Sequence, residues 1–213
     1  KGGQIEVLQW LREHECPWAP GTCEAAALYG HFEVLQWAHK NVCAWNEETC
    51  LNAAEGGQLE VLQWLRANGC PWDEDACESA AYGGHLKVLQ WVRANGGEWY
   101  AWTCSFSAKG GHLEVVQWEN ANGCPWNWNT YANANAALGG HLEVVQLTRA
   151  NGCEWNMLVK CPAAARNGHL EILKWLCAND CQSDKTTILY AKMKGHDELV
   201  KWAIANSCPS ETF

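Results

Sequence analysis

No apolar run in this chain approaches the ~18 residues that a membrane-spanning helix requires, so membrane insertion is not expected. Basic residues are few: 15 Lys and Arg stand against 24 Asp and Glu, for a formal charge of −9. They are scattered and form no stripe, which argues against capture of nucleic acid or anionic lipid. Cys-x2-Cys, the tight zinc spacing, occurs nowhere. There is no glycine-rich phosphate cradle. No nucleophile, base and orienting carboxylate stand together except where repetition explains them. These absences exclude the common enzyme signatures, and neither catalysis, a cofactor nor a small-molecule substrate is expected. Lys1 opens the chain inside a repeated phrase, so a segment of a longer protein is expected and no targeting signal can be read.

What is abundant is cysteine, with 13, and tryptophan, with 15, in 213 residues. Both follow from an internal repeat, the feature that fixes a fold before any other. The phrase GQIEVLQW begins at Gly3. It returns as GHFEVLQW, GQLEVLQW, GHLKVLQW, GHLEVVQW, GHLEVVQL, GHLEILKW and GHDELVKW at Gly30, Gly57, Gly84, Gly111, Gly140, Gly168 and Gly195. The glycine spacings are 27, 27, 27, 27, 29, 28 and 27. A second phrase, CPW at Cys16, Cys70 and Cys124, varies to CAW at Cys43 and CEW at Cys153. The reading is one array of eight units over residues 1–213.

Each unit reads as two helices. From Leu59, the residues Leu59, Val61, Leu62, Trp64 and Leu65 form one wide apolar stripe, with Glu60, Gln63 and Arg66 as a polar row opposite. Gly69 and then Pro71 stop that helix. The first helix is short and rich in alanine, as in CESAAYGG from Cys77, which lets a neighbour approach closely. Asp73, Thr22 and Thr49 are candidate N-caps. One such pair cannot bury its own apolar face, so pairs must stack. The fold class is all-α, an α-solenoid of helix–turn–helix units.

These residues resemble the ankyrin repeat. GHLEVVQW from Gly111 resembles that family's second-helix phrase, NGCPWD from Asn68 its Ala-Gly-Ala-Asp-Val-Asn segment, and Ala80 with Ala81 its paired first-helix alanines. The resemblance spans all 213 residues. The units here are shorter than the family's ~33 residues; only four residues separate Trp72 from Cys77, and Thr-Pro-Leu-His is absent. The resemblance therefore implies a helical stack without the family's protruding β-hairpin fingers. It also implies a protein-binding scaffold; the family binds through fingers and first helices, and of these the first helices are expected here.

The repeated side chains each admit two readings. Cysteines recur after the second helix and at the start of the first; they read as small buried hydrophobes and favour a reducing, intracellular compartment, cytoplasmic by expectation. The alternative is a metal-binding or redox module built on this ladder, with the two cysteines of a unit bridging the turn seven or eight residues apart. Trp64 and its equivalents read as core rather than a stacking platform. The histidines after the repeat glycine, such as His85 and His141, read as inter-repeat hydrogen bonds or caps, since Gln4 and Gln58 fill the same place.

Specificity in such an array lies where units differ. Glu24, Leu51, Glu78 and Ser105 vary in the first helix. Leu28, Tyr29, Glu55, Tyr82, Lys109, Leu138, Arg166 and Met193 vary at the turn. Trp102 and Trp128 break the tryptophan pattern, and Tyr131 lies in the irregular stretch from Asn127 that carries the two-residue insertion. Tyr, Trp and Arg are the types that anchor interfaces. These residues are the candidate partner-binding set. The expected function is a protein–protein interaction scaffold, possibly a subunit or arm of a large assembly, and the expected partner is another protein or a multi-subunit assembly.

Overall fold

The computed structural model describes residues 5–19, 21–73, 75–125, 131–152, 157–179 and 185–206. Among these the chain is all helix, with no strand. It divides into two compact units, Lys1–Trp99 and Tyr100–Phe213.

The first unit holds α1 (Ile5–Glu13), α2 (Thr22–Leu28), α3 (Phe32–Lys40), α4 (Glu47–Glu55), α5 (Leu59–Ala67), α6 (Ala76–Gly83) and α7 (Leu86–Ala94). First helices stack on one another, α2 on α4 and α4 on α6, and each second helix packs on its own first helix. The second unit holds α8 (Ala101–Gly110), α9 (Leu113–Ala121), α10 (Tyr131–Gly139), α11 (Leu142–Ala150), α12 (Met157–Arg166), α13 (Leu170–Ala178), α14 (Lys185–Met193) and α15 (Asp197–Ala205). There α8, α10, α12 and α14 stack in series, each carrying its second helix. Both units are thus α-solenoid stacks of helix–turn–helix pairs. The segments between Trp72 and the first helix carry no β-hairpin among the described residues.

The core is the alanine face of the first helices against the Val-Leu stripe of the second. Ala53, Ala54, Ala80 and Ala81 are fully enclosed, as are Leu62, Leu65 and Leu89. Helices of nine residues are marginal by themselves; burial of this stripe is what holds them. The second helices after α1 end the same way. Asn68 Nδ2 donates to the Trp64 carbonyl at 2.8 Å, and Asn95, Asn122 and Asn151 repeat the bond. Gly69 then takes φ +80°, the left-handed turn where a side chain is strained.

The N-terminal caps differ from the sequence expectation. Thr22 and Thr49 lie inside their helices. Asn46 precedes α4, and the Thr49 hydroxyl accepts its N–H and donates to its Oδ1, both at 3.3 Å. Asp73 braces the turn by accepting the Asp75 N–H at 3.0 Å.

The tryptophans also differ. The core is aliphatic, and Trp37, Trp64 and Trp91 sit half-buried at its rim, while Trp10 is exposed. Three turn tryptophans meet the helix tryptophan of the next pair edge to face: Trp18 with Trp37 at 5.7 Å, Trp45 with Trp64 at 5.5 Å and Trp72 with Trp91 at 5.7 Å. Arginine covers the other side, with Arg12, Arg66 and Arg93 lying 4.2–5.0 Å over Trp18, Trp72 and Trp99. The same guanidiniums donate to the loop carbonyls of Cys16, Cys70 and Gly97. An indole is too large for the narrow gap that alanine creates between first helices, so it packs at the rim, where its ring can be sandwiched. Arg66 accordingly does structural work and is not part of a plain solvent row.

Candidate functional site

The turn edge is built by a recurring bond between successive pairs. His141 Nε2 donates to the Lys109 carbonyl at 2.9 Å, His169 to that of Leu138 at 2.9 Å, and His196 to that of Arg166 at 3.1 Å. In the first unit Gln58 Nε2 donates to the Gly56 carbonyl at 2.8 Å and reaches that of Leu28 at 3.4 Å. A carbonyl only accepts, so the histidines carry their proton on Nε2. The approach is close: a Cβ on Gly57, at φ +73°, would lie 2.5 Å from the His85 ring. One on Gly56 would lie 2.0 Å from the Leu28 carbonyl oxygen. The glycine pair is there to let the next unit's His or Gln cross over.

This bond fixes the backbone of the residues that vary. Tyr29, Glu55, Tyr82, Trp102, Lys109, Arg166 and Met193 are exposed, and Glu24, Leu28, Glu78 and Leu138 are half-buried. Leu51 is a correction: it is buried in the middle of α4, which is flanked by both α2 and α6. Ser105, its counterpart in α8, is buried as well. Trp128 lies outside the described residues, as does the side chain of Tyr131.

In the second unit part of the edge is a groove. Leu138, Gly139, Arg166, Asn167, His169, Lys194 and His196 line an open cavity of about 580 Å³. Asn167 Nδ2 donates to the Leu138 carbonyl at 2.8 Å, beside the His169 bond. Asn167 and Lys194 were missed in the sequence. The signal was available, since both replace the first glycine of the repeated pair, as Tyr29 does. The groove is basic, although the chain as a whole is acidic.

The cysteines meet in a register that the sequence did not suggest. The loop after each second helix folds back over the start of its own first helix, so partners are 20 residues apart rather than seven or eight. Cys104 and Cys124 are disulfide-bonded, which corrects the expectation of thiols throughout. Glu119 lies with them; its carboxylate and the two sulfurs fall within 4.8 Å of one another, a metal-ligand type of grouping. The sulfurs are bonded to each other here, which removes them as thiolate ligands. Glu119 is fully enclosed, and burial pushes its carboxyl up to about 8, against the opposing hydrogen bond from Ser107. Ser107 Oγ is 2.5 Å from Glu119 Oε2 and 2.9 Å from the Cys104 carbonyl, and Glu119 Oε1 has no hydrogen-bond partner.

No family model matches the chain, and no curated protein matches it. Among solved structures it is similar to the ankyrin repeat domain of human ASB11, with a TM-score of 0.59 and 16% sequence identity over 76% of this chain and 84% of that one. The likeness shows an ankyrin-like repeat fold. No helix among the described residues is long and apolar enough to cross a membrane.

Proposed function

We propose that the chain is a protein-interaction scaffold, one continuous array of eight ankyrin-like units, that binds a protein partner along the turn edge. One observation carries this reading: the edge has a constant backbone, held by the His and Gln bonds, and side chains that change from unit to unit. A rigid frame with variable exposed groups is what selective recognition by a repeat protein requires. Tyr29 and Tyr82 supply exposed aromatic area in the first unit; Arg166 and Lys194 supply positive charge in the second. The groove fits an acidic segment of the partner. The second-helix faces repeat the same Glu-Gln pattern and carry less information. The reading makes the protein a non-enzymatic subunit or arm of a larger assembly.

The test is affinity capture followed by paired substitutions. Tyr29→Ala with Tyr82→Ala, and separately Arg166→Glu with Lys194→Glu, should each weaken capture while thermal unfolding stays nearly unchanged. Glu60→Ala with Gln63→Ala, on the second-helix face, should leave capture intact. Loss of capture in that last variant alone would place the binding surface on the other side.

A further inference from the structure

Cys23 opens α2, and Cys43 lies in the loop after α3. Their sulfurs are 2.8 Å apart, with the Cys23 S–H donating to Cys43. Cys50 and Cys70 repeat the contact, with the Cys70 S–H donating to the Asn46 carbonyl at 3.3 Å. All four are free thiols in the same register as the Cys104–Cys124 disulfide. The register belongs to the repeat itself. Even where Gly97 replaces the second cysteine, a Cβ built there would lie 3.3 Å from Cys77 Sγ. Access differs between the two thiol pairs. Cys23 and Cys43 line a pocket of about 220 Å³ with Trp18, Thr22 and Ala44, whereas Cys50 and Cys70 are fully enclosed.

We propose that Cys23 and Cys43 form a redox-active dithiol, oxidised by a small-molecule disulfide to an intra-repeat disulfide, with Cys50 and Cys70 as a slower pair of the same kind. Both pairs are buried, but the pocket leads to the first, so a small local opening exposes it; the second needs a larger opening of the loop around Cys70.

The step balances within the named reactants. The Cys43 thiolate attacks one sulfur of the small disulfide, forming a mixed disulfide and expelling one thiolate. Cys23 then loses its proton to that thiolate, attacks the Cys43 sulfur and expels the second thiolate, which takes up a proton from water. Two electrons pass from the protein sulfurs to the small disulfide, which leaves as two thiols. The order of attack follows from the hydrogen bond. Burial, and then donation to Cys43, hold Cys23 in the thiol form, so Cys43 is the first nucleophile. At the inner pair, donation to the Asn46 carbonyl holds Cys70 in the thiol form, which makes Cys50 the attacking sulfur there.

The product ties the start of a first helix to the loop behind its second helix. Closing a 20-residue loop restricts the unfolded chain, so oxidation stabilises the repeat from within.

The experiment uses the full chain, reduced, freed of reductant and then exposed natively to oxidised glutathione. Samples are quenched with acid, alkylated, digested and mapped by mass spectrometry. The expected result is a Cys23–Cys43 linked peptide first and a Cys50–Cys70 peptide later, with two glutathione thiols released per link. The unfolding midpoint should rise by about 5 °C or more per link. Cys43→Ser should abolish the first link and its share of that rise while leaving Cys50–Cys70 to form. Should that variant fail to fold, the map of the unaltered chain decides alone. Links between Cys16 and Cys23 or between Cys43 and Cys50, a stable mixed disulfide at Cys43, or unreacted thiols at both pairs would each overturn the proposal.

Discussion

Glu119 offers the sharpest test of the packing argument. It occupies the place of Leu65, Val92 and Leu176 in the second-helix stripe, and it is the single charged side chain enclosed among the described residues. Ser107 faces it from a position that is alanine elsewhere, as at Ala53, Ala80 and Ala164. The two departures answer each other. With Glu119 neutral, its O–H donates to Ser107 Oγ and frees the hydroxyl to donate to the Cys104 carbonyl. The magnitude follows from proton linkage. The folded carboxyl titrates at about 8 and the unfolded one at 4.5. Below 4.5 both states are protonated and the group costs nothing by ionisation. Between 4.5 and 8 the unfolded state ionises and the folded state does not, so stability falls as pH rises. Each tenfold difference in proton affinity is about 1.4 kcal/mol, so the cost at pH 7 is about 3 kcal/mol and it levels off above pH 8 at about 5. Glu119→Gln keeps the shape and removes the titration. Urea unfolding of both proteins, followed by circular dichroism from pH 4.5 to 8.5, isolates this group because all other carboxylates cancel in the difference. The variant should gain on the parent steadily as pH rises. A difference that stays flat with pH, or grows toward acid, would refute the claim that the carboxyl is held neutral. Glu119→Leu should show the same pH trend, with a further gain from filling the apolar site.

Trp64→Ala should destabilise by about 2–3 kcal/mol in urea unfolding, below the 3–5 of a fully enclosed ring, because Trp64 is half-buried while still packing on Phe32, His39 and Trp45. A change under ~1 kcal/mol would mean that the aromatic rim contributes little to stability. His141→Ala should cost about 1 kcal/mol through loss of the bond to the Lys109 carbonyl, and His141→Gln should recover most of it, since Gln58 makes the equivalent bond. Equal stability of the Ala and Gln variants would show that the histidine acts by bulk and not by its proton.

The helix pairs were legible because their signals are local. A stripe at helical spacing, an Asn-Gly stop and an alanine face each specify backbone within a few residues, and eight repetitions remove chance. Leu51 was misplaced for the opposite reason. Whether the residue after the first-helix cysteine is exposed depends on how many neighbours flank that helix, which is a property of the stack. The tryptophans were misread because a fixed repeat phase implies a fixed environment without saying whether it is the core or its rim. The cysteine register failed most instructively. Seven residues along the chain looked close, but the loop runs away from the next first helix and folds back over the previous one, so the true neighbour is 20 residues off. Only the direction of that loop could have revealed it.

The turn edge of this fold carries a set of polar bonds of its own, and this bears on function. A repeat stack could be held by its aliphatic core alone, with the turns left free to drift. Here Gln58, His141, His169 and His196 reach back to the carbonyls of residues whose side chains vary, Leu28, Lys109, Leu138 and Arg166. Such bonds add modest stability each, but they remove backbone freedom at the sites where exposed side chains differ most. Ordering those residues before a partner arrives lowers the entropy lost on binding. The arrangement therefore favours the turn edge over the second-helix face as the recognition surface. It also predicts that His169→Ala, which leaves Asn167 as the one described side-chain donor to the Leu138 carbonyl in the basic groove, should weaken capture more than its small effect on thermal stability would explain. Equal losses in the two measurements would mean that the bond serves the fold alone.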